Sequence, residues 1–338
     1  YGGGLRQKGG TLTIVDSIFN NNVLASATDY STAYGGAIFA ENVQSDIRNS
    51  KFINNQVAVA YIACQGGALW FSGGSLTIRN CVFDKNSVKK SENYGGRDNG
   101  FGGRIYAKGL STFVVEDCIF TGNFNNSRIA SSYTYGARGG TFYLEGSSMK
   151  TAINRCAFYG NGSRASSTTL DSGSIYLNGG TLGMTNVLQA ACKYGDGIEV
   201  LNGTLNILNC TIASITNGYA IRQSGSGVKI SVKNSILEGG KGAYLVSAGT
   251  AQSFNNCLTS HELPAGVGVG NVVGNALFGD SVYFHPRSQA GRYDGGWFTG
   301  GSWVQDEDDC PSIDMGDKDS PIGDELQPNR HTVNIGYD

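Results

Sequence analysis

The sequence predicts an all-β protein: a single-stranded right-handed parallel β-helix of about nine to ten coils, closed by a non-repeating C-terminal cap. Three observations predict it. Glycine supplies 51 of 338 residues and proline only 5, about twice the usual glycine share. A Gly-Gly frame and a Phe-x-x-Asn frame recur along the chain. Between them, apolar residues alternate with period two, as in Leu76-Thr77-Ile78 and Leu205-Asn206-Ile207, which excludes a helical solenoid. Collagen would need a strict three-residue period. Disorder is excluded because 40% of the residues are hydrophobic and 10% aromatic, enough to bury a core. Right-handedness follows from the general preference of parallel crossovers.

The most complete repeat reads Gly66-Gly67-Ala68-Leu69-Trp70-Phe71, then Gly73-Gly74-Ser75-Leu76-Thr77-Ile78, then Asn80-Cys81-Val82-Phe83, and closes at Asn86. Gly35-Gly36, Gly102-Gly103 and Gly139-Gly140 open equivalent repeats that close at Asn55, Asn123 and Asn161, and a partial one runs from Gly2 to Asn22. The pair before the aromatic residue sets the ruler. It falls at Asp16-Ser17, Asn49-Ser50, Asn80-Cys81, Asp117-Cys118, Arg155-Cys156, Asn186-Val187, Asn209-Cys210, Asn234-Ser235 and Asn256-Cys257. Asparagine tolerates the left-handed backbone of a sharp corner, and its amide can bond to the next rung. Nine rungs stacked at about 4.8 Å span about 38 Å. Residues 1–260 are therefore expected to form the coils. Residues 261–338, which hold Trp297, Trp303 and all five prolines, are expected to form the last turns and an irregular acidic cap over the last rung.

The Gly-Gly-Ala-Ile and Phe-x-x-Asn pairs resemble the polymorphic outer-membrane protein repeat of bacterial autotransporter passengers, over roughly residues 1–175. Gly274-Asn275-Ala276-Leu277-Phe278-Gly279-Asp280, Cys310-Pro311-Ser312-Ile313-Asp314-Met315-Gly316-Asp317 and Asn334-Ile335-Gly336-Tyr337 resemble the closing segment of secreted choice-of-anchor β-helix proteins. Cys310 stands where that family usually has serine. Both resemblances imply export and surface display, with a signal peptide already removed, and neither implies a defined reaction.

Net charge is −2 and only 15% of residues are charged, so the chain lacks the basic surplus of a generic nucleic-acid binder. No apolar run is long enough to span a membrane as a helix. Of eight cysteines, Cys81, Cys118, Cys156, Cys210 and Cys257 share one interior column with serine and valine. Cys81 and Cys118 stand close enough to bridge. Cys64, Cys192 and Cys310 lie off the column and are expected nearer the surface.

Parity places Ile38, Leu69, Ile105, Phe142 and Ile175 inward, and the residues that follow them, Phe39, Trp70, Tyr106, Tyr143 and Tyr176, outward. Exposed, that stripe is a stacking platform for a polysaccharide or an anchor row for a protein partner. The alternatives are that loops cover it or that the parity is reversed. Insertions at 23–34, 56–65, 87–101, 124–138 and 162–172 leave from one corner. They form a ridge carrying Tyr30, Tyr34, Tyr61, Tyr94, Tyr133 and Tyr135, readable as a recognition surface or as solvated spacer.

For catalysis the candidates are Arg104, Lys108 and Arg138, since polysaccharide lyases need a basic residue or a tyrosine to take a proton. Calcium is the candidate ion, with Asp306, Asp308, Asp314 and Asp317 in the one dense acidic region, although the spacing matches no EF-hand. The expectation is a non-catalytic extracellular or cell-surface scaffold or adhesive module. Its partners would be a polysaccharide, a cell-surface protein or, head to tail, another copy. A polysaccharide lyase and a subunit of an extracellular filament are the alternatives.

Overall fold

The computed structural model describes residues 1–338 except 27–31, 60–62, 91–98, 128–136, 166–172, 193, 246–250, 298–299, 322–331 and 338. Every regular element among the described residues is a β-strand. Each repeat lays down three strand segments, and each segment pairs in parallel with its equivalent one repeat later. Leu5–Lys8 pairs with the start of Ile38–Arg48, which pairs with Leu69–Arg79, and the first stack continues through Ile105–Lys108, Phe142–Glu145, Ile175–Ala190, Ile198–Leu208, Tyr219–Gln223 and Gly242–Leu245. A second stack runs from Thr11–Val15 to Ala251–Asn255. A third runs from Ile18–Asn20 to Val272–Val273. The register sets like on like: Phe19, Phe52, Phe83, Phe120 and Phe158 pair in one column, their rings 4.7–5.0 Å apart and 4–11° from parallel.

The corners explain the recurring residues. The first glycine of each Gly-Gly pair has positive φ (68° at Gly35), and a Cβ on the second would strike the carbonyl of the next repeat, as Gly36 would strike Gly67. All nine ruler residues, Asp16 to Asn256, adopt φ between 46° and 54°, the left-handed region asparagine tolerates best among residues with a side chain. Arg155 is held there by a bidentate pair with Asp117 (2.7 and 2.8 Å). The residue after the ruler turns inward. Its hydroxyl or thiol bonds the carbonyl two residues back (Ser50 to Arg48, 2.7 Å; Cys81 to Arg79, 3.1 Å) and accepts the backbone N–H of the preceding repeat (Ser17, 3.1 Å; Ser50, 3.4 Å). Serine and cysteine interchange there because either can make both bonds.

The continuous amide ladder belongs to a different column from the ruler. Asn22, Asn55, Asn86, Asn123 and Asn161 stack one per repeat. Asn55 donates its N–H and its amide to Asn86 Oδ1 (2.9 and 2.8 Å), and Asn86 Nδ2 donates to the Phe52 carbonyl (2.8 Å). These side chains are buried from Asn55 onward, so the ladder satisfies polar backbone where the chain turns away from the core. In the ruler column side-chain bonds between repeats are occasional, as in Asn234 to Asn209 (3.2 Å).

The insertions are not plain spacer. Their outgoing arms form a five-stranded parallel sheet (Val23–Ser26, Gln56–Val59, Ser87–Lys90, Phe124–Ser127, Gly162–Ala165), and their returning arms form a three-stranded one (Thr32–Tyr34, Ala63–Gln65, Asn99–Phe101). Ala33, Val57, Cys64 and Val88 make a small core within these arms. Tyr30, Tyr61, Tyr94, Tyr133 and Tyr135 lie outside the described residues.

The C-terminal segment departs from expectation. Leu263 and Val267 pack against the main core, and the Phe254 and Asn256 N–H groups donate to Val267 and Val269 (2.8 and 2.9 Å), so this short stretch closes the last repeat. The residues beyond it run along the flank of the third stack instead. Tyr337 packs with Leu188, Ala190 and Ala213, and Ile335 and Cys310 pack with Ile236 and Leu258. Outward Leu, Ala and Ile side chains on those strands would otherwise meet water, which fixes the segment to the side.

Candidate functional site

The aromatic stripe has the expected parity, and of the alternatives for its exposure the covered one is found. Phe39, Trp70, Tyr106, Tyr143 and Tyr176 lie outside the main core, yet each is between 0 and 9% exposed. Two physical causes act. Parallel register stacks the rings on one another, with centroids 4.5–6.0 Å apart and planes within 20°, so the faces a sugar would use are already occupied. The residue before each Gly-Gly pair then covers the edges. Tyr34 stacks on Trp70 at 5.2 Å, Gln65 accepts the Trp70 indole N–H (2.8 Å), Phe101 meets Tyr143 at 4.7 Å and Arg138 lies 4.9 Å over Tyr176. The stripe is a second core, and the stacking-platform expectation is corrected accordingly.

The column continues past Tyr176 into charge. Tyr176 is registered with Glu199, and Glu199 with Arg222. Arg222 bonds Glu199 (3.0 Å) and Asp196, and Arg138 donates to the Tyr176 hydroxyl (2.9 Å). Asp196 also accepts the Tyr219 N–H (2.8 Å). Burial pushes the Asp196 carboxyl above its usual range although Arg222 pulls it down. Burial pushes the Tyr143 hydroxyl up to about 12, with Glu145 adding to it. None of Asp196, Glu199 and Arg222 is singled out by sequence reasoning. The signal was the Ile198-Glu199-Val200 triplet, which repeats the pattern of Ile175-Tyr176-Leu177 after a repeat shortened to 23 residues.

The catalytic candidates are dispersed. Arg104 is fully buried, with Nε and Nη2 unpartnered among the described residues and a long contact from Nη1 to Asn161 (3.5 Å); burial holds its pKa well below the usual arginine value. Lys108 pairs with Glu145 (3.0 Å), which also accepts the Tyr106 hydroxyl (2.9 Å), in a ladder of charged and amide residues that includes Lys8–Glu41 (2.6 Å). Arg138 alone reaches the charged end of the stripe. The calcium candidates do not converge. Asp306 pairs with Arg292 (2.8 Å), Asp317 pairs with Lys233, Asp314 donates its N–H to Asn334 Oδ1 (2.8 Å), and Asp308 is exposed. Among the described residues no group of three or more His, Cys, Asp or Glu could hold a metal. All eight cysteines are buried and none forms a disulfide, Cys64, Cys192 and Cys310 included, which corrects their expected surface position. Burial lifts the Cys192, Cys210 and Cys257 thiols to about 12.

The open surface lies on the second stack. Its middle outward column is small and mostly polar, reading Thr13, Asp46, Thr77, Val114, Ala152, Gly183, Asn206, Ser231 and Ser253. Two shallow grooves lie here and share Asn206 and Ser231, one reaching Lys233 and the other Lys229. No family model, no curated protein and no solved structure matches this chain. Among the described residues no helix is long and apolar enough to cross a membrane.

Proposed function

We propose that the chain is a right-handed parallel β-helix from an exported protein, acting as a non-catalytic scaffold that presents the flat second stack to a polysaccharide. The observation that carries this reading is where the chemically capable side chains go. Arg104, the aromatic stripe, the thiols and the buried asparagines are all spent inside the stack, while the exposed second-stack face carries hydroxyls, amides and lysines suited to hydrogen bonding along an extended glycan. Export rests on the repeat and closing-segment resemblances.

The lyase alternative draws on one specific observation, the convergence of Arg138, Tyr176, Glu199, Arg222 and Asp196. Against it, Tyr176 is fully enclosed and both carboxylates are held by Arg222. A glycan array and a depolymerisation screen on one preparation, with and without calcium, separate the two. Binding without shortened or unsaturated products supports the scaffold. Products lost on Arg138→Ala would replace it with the enzyme reading.

A further inference from the structure

The second-stack face is not uniform along its length. In the lower repeats its charges are matched: Arg48 pairs with Asp46 (3.2 Å) and Arg79 with Glu116 (2.7 Å). From Lys150 to Asn255 the registered outward positions read Lys150, Ala152, Asn154; Thr181, Gly183, Thr185; Thr204, Asn206, Leu208; Lys229, Ser231, Lys233; and, in the last strand, Ser253 and Asn255. No carboxylate occupies any of them. Lys233 is answered from the flank by Asp317, but Lys150 and Lys229 are exposed and have no ion-pair partner among the described residues. They occupy one edge column three repeats apart, about 14 Å at about 4.8 Å per step. Both shallow grooves lie in this upper half, on either side of the Asn206 side chain.

We propose that this upper half binds a linear acidic polysaccharide of the uronic-acid class along the stack axis. Lys150 and Lys229 would meet carboxylates, and Asn206, Ser231 and Thr204 would bond hydroxyls in the grooves. Charge complementarity selects the occupant: a face with free cations, no acid and many neutral hydrogen-bonding groups favours a hydroxyl-rich polyanion over a neutral glycan or an apolar protein surface. A chain carrying an overall net charge of −2 has little unspecific attraction for polyanions, so retention would report this patch. The inference rests on the scaffold reading and names its ligand.

The test uses the full chain on immobilised polygalacturonate, with neutral dextran as the second column. Wild type is expected to be retained on polygalacturonate, to pass through dextran, and to elute as salt rises. The double variant Lys150→Glu/Lys229→Glu is expected to lose retention by on the order of tenfold. Lys51→Glu/Lys89→Glu, the same charge change at exposed lysines elsewhere, is expected to stay within about twofold of wild type. Asn206→Trp fills the space between the grooves without changing charge and is also expected to weaken retention. Circular dichroism checks that each variant is folded. Equal losses in the two double variants, unchanged retention in Asn206→Trp, or no retention of wild type would overturn the proposal. Binding of neutral glycans alone would overturn it and leave the scaffold reading standing.

Discussion

Asn86 shows how much one side chain can hold when its environment repeats. Its Oδ1 accepts two donors from Asn55, and its Nδ2 serves the Phe52 carbonyl, all out of water. Asn86→Ala strands those groups, and each buried unsatisfied group costs about 1–3 kcal/mol. A loss of about 3 kcal/mol is expected in chemical denaturation, with an unchanged slope. Asn80 makes the contrasting case. It is exposed and is there for its backbone, at φ 51°. Asn80→Gly should therefore cost about 1 kcal/mol or less, and equal losses at the two positions would show that the ladder carries no special weight. The thiols obey the same logic of burial. With all eight enclosed and thiolate formation disfavoured, a thiol reagent at pH 8 should label none in the native protein and eight after denaturation. Rapid labelling of native Cys64, Cys192 or Cys310 would count against their placement.

At the scale of the strand and the arm, the aromatic stripe and its charged end act as one packed element. Trp70→Ala removes a ring held between Phe39 and Tyr106 and capped by Gln65, a change expected to cost about 3–5 kcal/mol. A platform residue facing solvent would cost little, so the measured loss distinguishes the two. The charged end has a pH signature whose sign is opposite to that of an ordinary paired aspartate. The folded-state pKa of Asp196 is raised above its ordinary value, so the folded protein binds the proton more tightly than the unfolded chain. Stability from this group is present below its ordinary range and is lost as pH rises through the raised value. Arg222→Met removes the counter-charge and should steepen that loss, whereas Asp196→Asn should flatten it. A urea-midpoint series against pH reads both. The parity of this element was legible because alternation is local, and so were the stacks, since Gly-Gly, the ruler pair and Phe-x-x-Asn each mark a corner. The cover was not. It depends on Tyr34, Gln65, Phe101 and Arg138, which share only their place before a glycine pair, and on arms that pair with one another rather than with solvent. Glu199 and Arg222 were missed because aromatic identity, not register, defined the column.

The whole molecule behaves as a stack in which most contacts join neighbouring repeats, so stability should be close to a sum of repeat and interface contributions. The flank segment breaks that rule. Through Tyr337, Ile335 and Cys310 it touches Leu188, Ala213, Ile236 and Leu258, four successive strands of the third stack, and the Tyr337 and Gly336 N–H groups reach Thr211 and Asn234 (3.1 and 3.0 Å). A strap of this kind ties the upper repeats into one cooperative unit and leaves the lower ones joined only through nearest neighbours. Ile335→Ala should therefore act regionally, even though it removes a single buried side chain. Native-state hydrogen exchange is expected to show lost protection together in Thr211–Ile215, Ile236–Gly239 and Leu258–Thr259, with Lys51–Ile53 and Val82–Asp84 unchanged. Loss confined to Ile236–Gly239 would mean the segment merely covers one repeat. Loss spread evenly from Lys51 to Thr259 would mean the stack already unfolds as a whole without the strap. Only the regional pattern fits a one-dimensional stack with a cross-tie on one side.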